Sequence, residues 1–470
     1  MSDSRFALPT LEESQQLRQA ENIVHGNLVQ MECEELIHEV SVDYENLSTI
    51  EKALFQLRSA IMSAPVRCVC AEGDLAATSS SLSATSVEPI TLPKGTTMRR
   101  WTTDPSSQRS KTTTLEFQPP RQVDLMGSFQ LRTLAKPRCT IDVAVHMPKE
   151  CFLRKDVLDY RYHDKRLLYV TCMLQHLLRE NQDDNSTGDA TSLGFQQIKM
   201  IGFHSEDDLP TKPIISLKPK HMKTKAEKSF TFQLHFICST KLFNMKQLTP
   251  TSGNLRVHRR PGTGERMPTP RYNCSILEDM YYLRHLQGLH RFSTSLHNPD
   301  TFCDTSILLK LWCVKRGYHR ERDQMNGFLL TVLLAHLLEI RVVHAHGTPR
   351  QMFTTVMEWI SKNDFGRNGI AINCFKNNNN NDADDDADDA DDKTKKTSDM
   401  EVFLQAHDIV MIDVGTNLNL TSNVSINAYH AFRKEAIKTS YWLSKDTGGA
   451  LDTFDPIFLY KIDFWHCYDM

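Results

Sequence analysis

The hydrophobic period of this chain changes at Pro268-Thr-Pro270, and that change dictates what it can fold into. From Cys139 to Met147 the apolar residues alternate, with Ile141, Val143 and Val145 on one face and Asp142 and Ala144 on the other. A period of two belongs to a strand. Beyond Pro270 the period is helical: Ile307, Leu308, Leu311, Trp312 and Val314 share one face. Leu329, Leu330, Leu333, Leu337 and Leu338 mark a second helix, which opens at Asn326-Gly327. Met352, Phe353, Val356, Trp359 and Ile360 mark a third. The expected class is α+β, a mixed sheet with helices followed by a mainly helical domain.

The other elements fit around these two regions. Leu11 to Ala64 has helical period and reads as a helix pair. Ala76 to Thr85, rich in Ser, Thr and Ala, reads as a linker with little to bury. Short strands are expected at Leu115–Phe117, Val123–Leu125, Phe195–Phe203 and Phe230–Cys238, with a long helix over Tyr160–Glu180. The lysine-rich stretch Lys212 to Lys228 is read as a loop, and Ile409–Val414 as a strand. The domain limits that follow are 1–75 for the N-terminal helices, 76–114 for a partly disordered linker and 115–270 for the α+β domain. The helical domain takes 271–445, with a low-complexity, disordered insertion at 377–396. Trp312 and Trp359 lie on apolar helix faces and are expected in the core rather than stacked on bases.

Composition excludes some classes. The net charge of −3 hides an uneven distribution: Asp382 to Asp392 holds eight aspartates, and the rest of the chain stands at about +5. A mildly basic body suits a nucleic-acid partner, and many other soluble proteins as well. The acidic run reads as a disordered loop. None of the twelve cysteines forms a Cys-x-x-Cys pair, so buried or free thiols in a reducing compartment are expected, and no structural metal. Met1 to Glu13 has no apolar signal core, and Phe328–Ile340 is shorter than the ~20 residues that span a bilayer. A soluble intracellular chain without a membrane partner is the expectation.

The chemistry-bearing pattern is Val123-Asp-Leu-Met-Gly127-Ser128, followed thirteen residues after the serine by Ile141-Asp142-Val143-Ala144-Val145. It resembles the nucleotidyltransferase signature, in which a Gly-Ser turn is followed by a strand reading Asp-apolar-Asp. Such a turn presents backbone N–H groups and a hydroxyl to nucleotide phosphates. Alternate strand residues then point two carboxylates the same way, and a third, from a later strand, completes a site for two magnesium ions. Here the second position is Ala144, and Phe230–Cys238 contains no Asp or Glu. Asp142 alone does not hold two hydrated magnesium ions. The expectation is a degenerate site at Gly127, Ser128, Asp142 and Ala144, with no catalytic residue, no metal and no cofactor. Gly127 and Ser128 are left either as a residual phosphate cradle or as a structural turn.

The wider pattern resembles one family. Gln118-Pro-Pro-Arg-Gln-Val-Asp-Leu-Met-Gly-Ser-Phe-Gln-Leu-Arg-Thr133 and Ile141–Pro148 are similar to the first domain of the Nrap family. Arg161-Tyr162, Lys165-Arg166 and Leu168-Tyr169 resemble its next helix, and Pro268-Thr-Pro-Arg-Tyr272-Asn273 its domain junction. Ile307–Trp312, Arg316-Gly317, Asn326-Gly-Phe328, Asp413-Val-Gly415 and Asn417–Leu420 are similar to its second domain, which is like the helical domain of poly(A) polymerase and oligoadenylate synthetase. The resemblance implies a nuclear, nucleolar scaffold of the small-subunit processome that supports pre-rRNA processing. It implies pre-rRNA as a partner, together with a smaller rRNA-processing protein and a casein kinase. It also implies that Phe454 to Trp465 starts the first strand of a third, truncated nucleotidyltransferase-like domain at 446–470.

Two basic segments are candidate RNA contacts: Lys212, Lys218, Lys220, Lys223, Lys225 and Lys228, and Arg256, Arg259, Arg260, Arg266 and Arg271. They would touch phosphates with little sequence reading, and the plainer alternative is two solvated basic loops. Besides the scaffold, an active template-independent nucleotidyltransferase with an unusual metal site, or a nucleotide-binding module without turnover, stays open.

Overall fold

The computed structural model describes residues 28–71, 87–94, 113–182, 193–202, 212–220, 229–256, 264–318, 323–373, 375, 400–445 and 453–459. The expectations for 377–396 and most of 446–470 fall outside the described residues. The chain forms two compact units, one from Val42–Arg291 with Ala371–Ser422, the other from Met1–Ser41, Phe292–Ile370 and Asn423–Met470.

The first unit opens with helix α1 (Ser48–Met62) and strands β1 (Arg67–Ala71), β2 (Glu88–Ile90) and β3 (Thr114–Phe117). These strands form a small sheet in the order β2-β1-β3. Part of the stretch read as linker is thus a strand, because Glu88–Ile90 pairs in parallel with β1. Next come β4 (Val123–Met126), β5 (Cys139–His146), α2 (Arg161–Glu180), β6 (Phe195–Ile201), β7 (Ile214–Pro219) and β8 (Phe230–Ile237). They build a mixed five-stranded sheet ordered β4-β5-β8-β7-β6. Only the β5–β8 pair is parallel. Strand β7 corrects the reading of Lys212–Lys228 as a loop. Its buried Ile215 and Leu217 point opposite to the exposed Lys218, an alternation too short to stand out among lysines.

One sheet face packs inward. Register places Ile141, Val143 and Val145 of β5 beside Phe232, Leu234 and Phe236 of β8, and all six are buried. They share a core with Leu167, Leu168, Val170 and Leu177 of α2. Each such leucine contributes roughly 1.5–3 kcal/mol relative to exposure. The unit continues into α3 (Pro270–Ser295) and includes a third sheet, β9 (Ile370–Ile372), β10 (Met411–Asp413) and β11 (Leu418–Asn419).

The second unit is helical: α4 (Pro299–Lys315), α5 (Gly327–Glu339), α6 (Pro349–Lys362) and α7 (Ile426–Lys445). Its helix starts are written locally. The Asn326 side chain accepts from Leu329 N, and Thr348 and Gln351 form a capping box ahead of α6. Trp312 is fully buried and donates to Thr439 Oγ1 at 2.9 Å, while the half-buried Trp359 stacks on Phe365. Residues Asp455–Leu459 form a π-helical turn, not the strand expected there. Arg316 Nη1 donates to Ile457 O at 2.8 Å, and Phe458 packs on Phe353, which holds that turn against the helices.

The described cysteines are free thiols, most of them buried. No helix among the described residues is long and apolar enough to cross a membrane.

Candidate functional site

The sheet face opposite the core carries the polar residues. Strand β4 runs antiparallel to β5, so Asp124 stands opposite Ala144 and Met126 opposite Asp142. The chain leaves β4 at Gly127, with φ of 70°, and winds into a single helical turn, Gly127–Gln130. Leu131 N donates to Gly127 O and Thr133 N to Ser128 O. A Cβ on Gly127 would sit 3.0 Å from Asp142 Oδ2. Close approach and positive φ both require glycine here. The turn and the first carboxylate therefore meet as the spacing of the motif demands.

The partner of Asp142 is an imidazole. His235 Nε2 lies 3.0 Å from Asp142 Oδ1, and both side chains are about one-fifth exposed. His235 comes from β8, the strand that would carry a third carboxylate, and pairs in register with Ala144. Tyr282 of α3 lies against the His235 ring. Burial and the Asp142 charge hold the Tyr282 hydroxyl well above the usual phenol range. A second pair flanks Ala144 on the other side: His146 Nε2 is 2.8 Å from Asp124 Oδ2, and Gln122 Nε2 donates to both Asp124 oxygens. Ala144 itself is fully buried between them. The face thus presents two carboxylate–histidine pairs around a methyl group.

That donor set does not fit two magnesium ions. Hard divalent cations need several oxygen ligands each. Asp142 has one oxygen engaged by a nitrogen, Ala144 offers none, and β8 supplies His235 where an acid is needed. Among the described residues no group of three or more His, Cys, Asp or Glu is placed to hold a metal ion.

The family model for Nrap protein domain 1 matches residues 88–295, and the model for the Nrap protein PAP/OAS-like domain matches 301–461. The chain belongs to the Nrap family. It is similar to Nucleolar protein 6 of Homo sapiens, at 27% identity over 434 residues, which cover 91% of this chain and 33% of the relative. Nucleolar protein 6 of Drosophila simulans matches at 24% identity, over 96% of this chain and 33% of that protein. The chain spans about one third of these relatives. Among solved structures, the Cid1 poly(U) polymerase bound to MgGTP aligns over 92% of this chain and 98% of its own, at 10% identity and a TM-score of 0.46. A cytoplasmic RNA terminal U-transferase aligns over 94% and 99%, at 12% identity and the same TM-score.

The basic residues singled out from this Nrap sequence fall in different surroundings. Lys212 is not available to a phosphate: its Nζ is 2.6 Å from Glu278 Oε2 and 3.2 Å from Asp279 Oδ1. Lys218 and Lys220 are exposed, the first on β7 and the second just after it. Arg256 is tied to buried Asp159 through Nε and Nη2, each at 2.6 Å. Arg271 pairs with Asp408 at 3.0 Å, both half-exposed, and Arg266 is exposed. Lys223, Lys225, Lys228, Arg259 and Arg260 lie outside the described residues. The sequence reading missed His235, His146 and Asp124, because a search for carboxylates on β8 passes over histidine. The alternation of Thr231, Gln233 and His235 against four buried apolar residues was the available signal.

Two perturbed acids elsewhere in the Nrap fold, Asp279 and Asp413, sit in ion-pair networks. Burial pushes the Asp279 carboxyl up, but Arg166 and Lys212 outweigh it and leave Asp279 below the usual range. Asp413 is likewise held down, against burial, by its 2.8 Å contact with His285 and by Thr416 and Gly415. Such ion-pair networks shift pKa values without implying catalysis.

Proposed function

We propose that this chain is part of a non-catalytic, RNA-associated scaffold of ribosome biogenesis, acting in the nucleolus as a component of the small-subunit processome. The single observation that carries the reading is the pairing of Asp142 with His235 beside a buried Ala144. The site keeps the turn and one acid of a nucleotidyltransferase and lacks the oxygen donors of its metal centre. The nucleolar setting is supported by the name of the relatives, Nucleolar protein 6. In this reading pre-rRNA, a smaller rRNA-processing protein and a casein kinase are the partners. The domain limits 115–270 and 271–445 and the RNA contacts at Lys218, Lys220, Lys223, Lys225, Lys228, Arg259 and Arg260 belong to the same proposal, whereas Lys212 and Arg256 are occupied by acids.

The alternative, an active nucleotidyltransferase, would have to recruit Asp124, the other acid on that sheet face. Incubation of the chain with labelled nucleoside triphosphates, an RNA primer and magnesium or manganese separates the two. The scaffold reading expects no incorporation above background. Primer extension lost in Asp142→Asn or Asp124→Asn would establish the enzyme. Copurification from cells then identifies the proteins and RNAs held.

A further inference from the structure

A second polar feature lies away from the Asp142 face. Segments that follow the C-terminal ends of the parallel strands β5 and β8 converge around an open cavity of about 840 Å³. Arg154, Lys155, Lys241, Lys246 and Arg266 line it, and among the described residues no carboxylate does. All five are exposed. Arg154, Lys155, Lys246 and Arg266 form no ion pair among the described residues, in contrast to Lys212 and Arg256. Their convergence is built in. A Cβ on Gly253 would lie 2.5 Å from Met267 O and 2.8 Å from Arg266 Cβ, so the segment at Ser252–Asn254 runs directly against the one that carries Arg266. Asn254 fixes the floor, its Nδ2 donating to Gln247 O and to Asn273 Oδ1.

We infer that this cavity takes the phosphodiester backbone of an RNA strand. The inference rests on the RNA-associated reading above and gives it a surface. Four such cations, Arg154, Lys155, Lys246 and Arg266, facing one concavity with no ion pair among the described residues repel one another and are stabilised by a polyanion. Of the apolar residues of the wall, Val157, Leu242 and Phe243 are buried and Leu158 is half-buried, so none is a fully exposed anchor. A protein partner draws most of its energy from desolvated aromatic and apolar anchors. A phosphate backbone needs only cations and hydrogen-bond donors, and it is bound without reading sequence.

The test is the salt dependence of binding to a single-stranded RNA oligonucleotide, comparing the chain with an Arg154→Gln, Lys155→Gln, Lys246→Gln, Arg266→Gln variant. Each phosphate contact contributes about 0.7 to the slope of log K against log salt for a single strand, so the variant loses about 3 from the slope. Its affinity falls at least about tenfold at roughly 0.1 M salt. Should that variant not fold, judged by circular dichroism, the pair Arg154→Gln, Lys155→Gln is read for a slope loss of about 1.4. A parent that binds RNA and a folded variant with the same affinity and slope overturn the cavity and leave the RNA reading intact. A parent that binds no RNA overturns both. A poly-aspartate peptide bound as tightly as the RNA, and released by the same substitutions, assigns the cavity to an acidic protein and overturns the inference.

Discussion

Removing the Asp279 carboxylate should unfold the first unit more readily than any change at the Asp142 face. Asp279 Oδ2 lies 2.9 Å from Arg166 Nε, a contact whose N–H points off the acceptor, so it acts as an ion pair rather than a hydrogen bond. The same oxygen accepts from Tyr162 Oη at 2.9 Å, and Asp279 Oδ1 is 3.2 Å from Lys212 Nζ. The Arg166 side chain is 3% exposed, with Pro213 O and Phe236 O as its other acceptors. In Asp279→Ala the guanidinium stays buried on two carbonyls, and the Tyr162 hydroxyl loses its acceptor. Breaking a buried pair on one side costs about 3–5 kcal/mol. For a unit of this size that lowers the midpoint of thermal unfolding by roughly 10 °C. Lys212 is less affected because Glu278 remains 2.6 Å away. Replacing both partners, as Arg166→Met with Asp279→Leu, should recover about half of the loss, since an apolar pair is often as stable as the ion pair it replaces. Urea unfolding followed by circular dichroism of the parent, both single variants and the double variant measures the coupling. An Asp279→Ala chain within about 1 kcal/mol of the parent, or single losses that simply add, would refute this account.

Two further predictions concern pH and the turn. Burial, and then Arg271, depress the His407 pKa from 6.5 to about 4. The unfolded chain therefore takes up the proton first, so stability is fully present above about pH 6.5 and is lost as pH falls toward 4, with a deficit of about 2 kcal/mol at pH 5. His407→Gln should flatten that part of the profile, and parallel urea midpoints for parent and variant between pH 7 and pH 5 would contradict the sign argument. Gly127→Ala places a Cβ at φ of 70° and 3.0 Å from Asp142 Oδ2, costing about 1–2 kcal/mol. A variant that melts with the parent would mean that the turn does not need its glycine.

Much of this protein was legible residue by residue. The alternation of Ile141, Val143 and Val145 gave a strand, Asn326-Gly327 marked a helix start, and Gly127-Ser128 marked a turn, because strand faces, caps and tight turns are settled by neighbours within a few residues. Ala144 in place of an acid was equally plain. Tertiary structure decided what those local choices could not reach. His235 meets Asp142 across 93 residues because β5 and β8 pair in parallel. Lys212, one lysine in a basic stretch, became an internal counter-ion once α3 brought Glu278 and Asp279 to it. Ile214–Pro219 became a strand only because β6 and β8 were there to satisfy its backbone. The five cations around one cavity come from separate segments between Arg154 and Arg266, and like charges gather in that way only where chain packing, not local sequence, sets their distance.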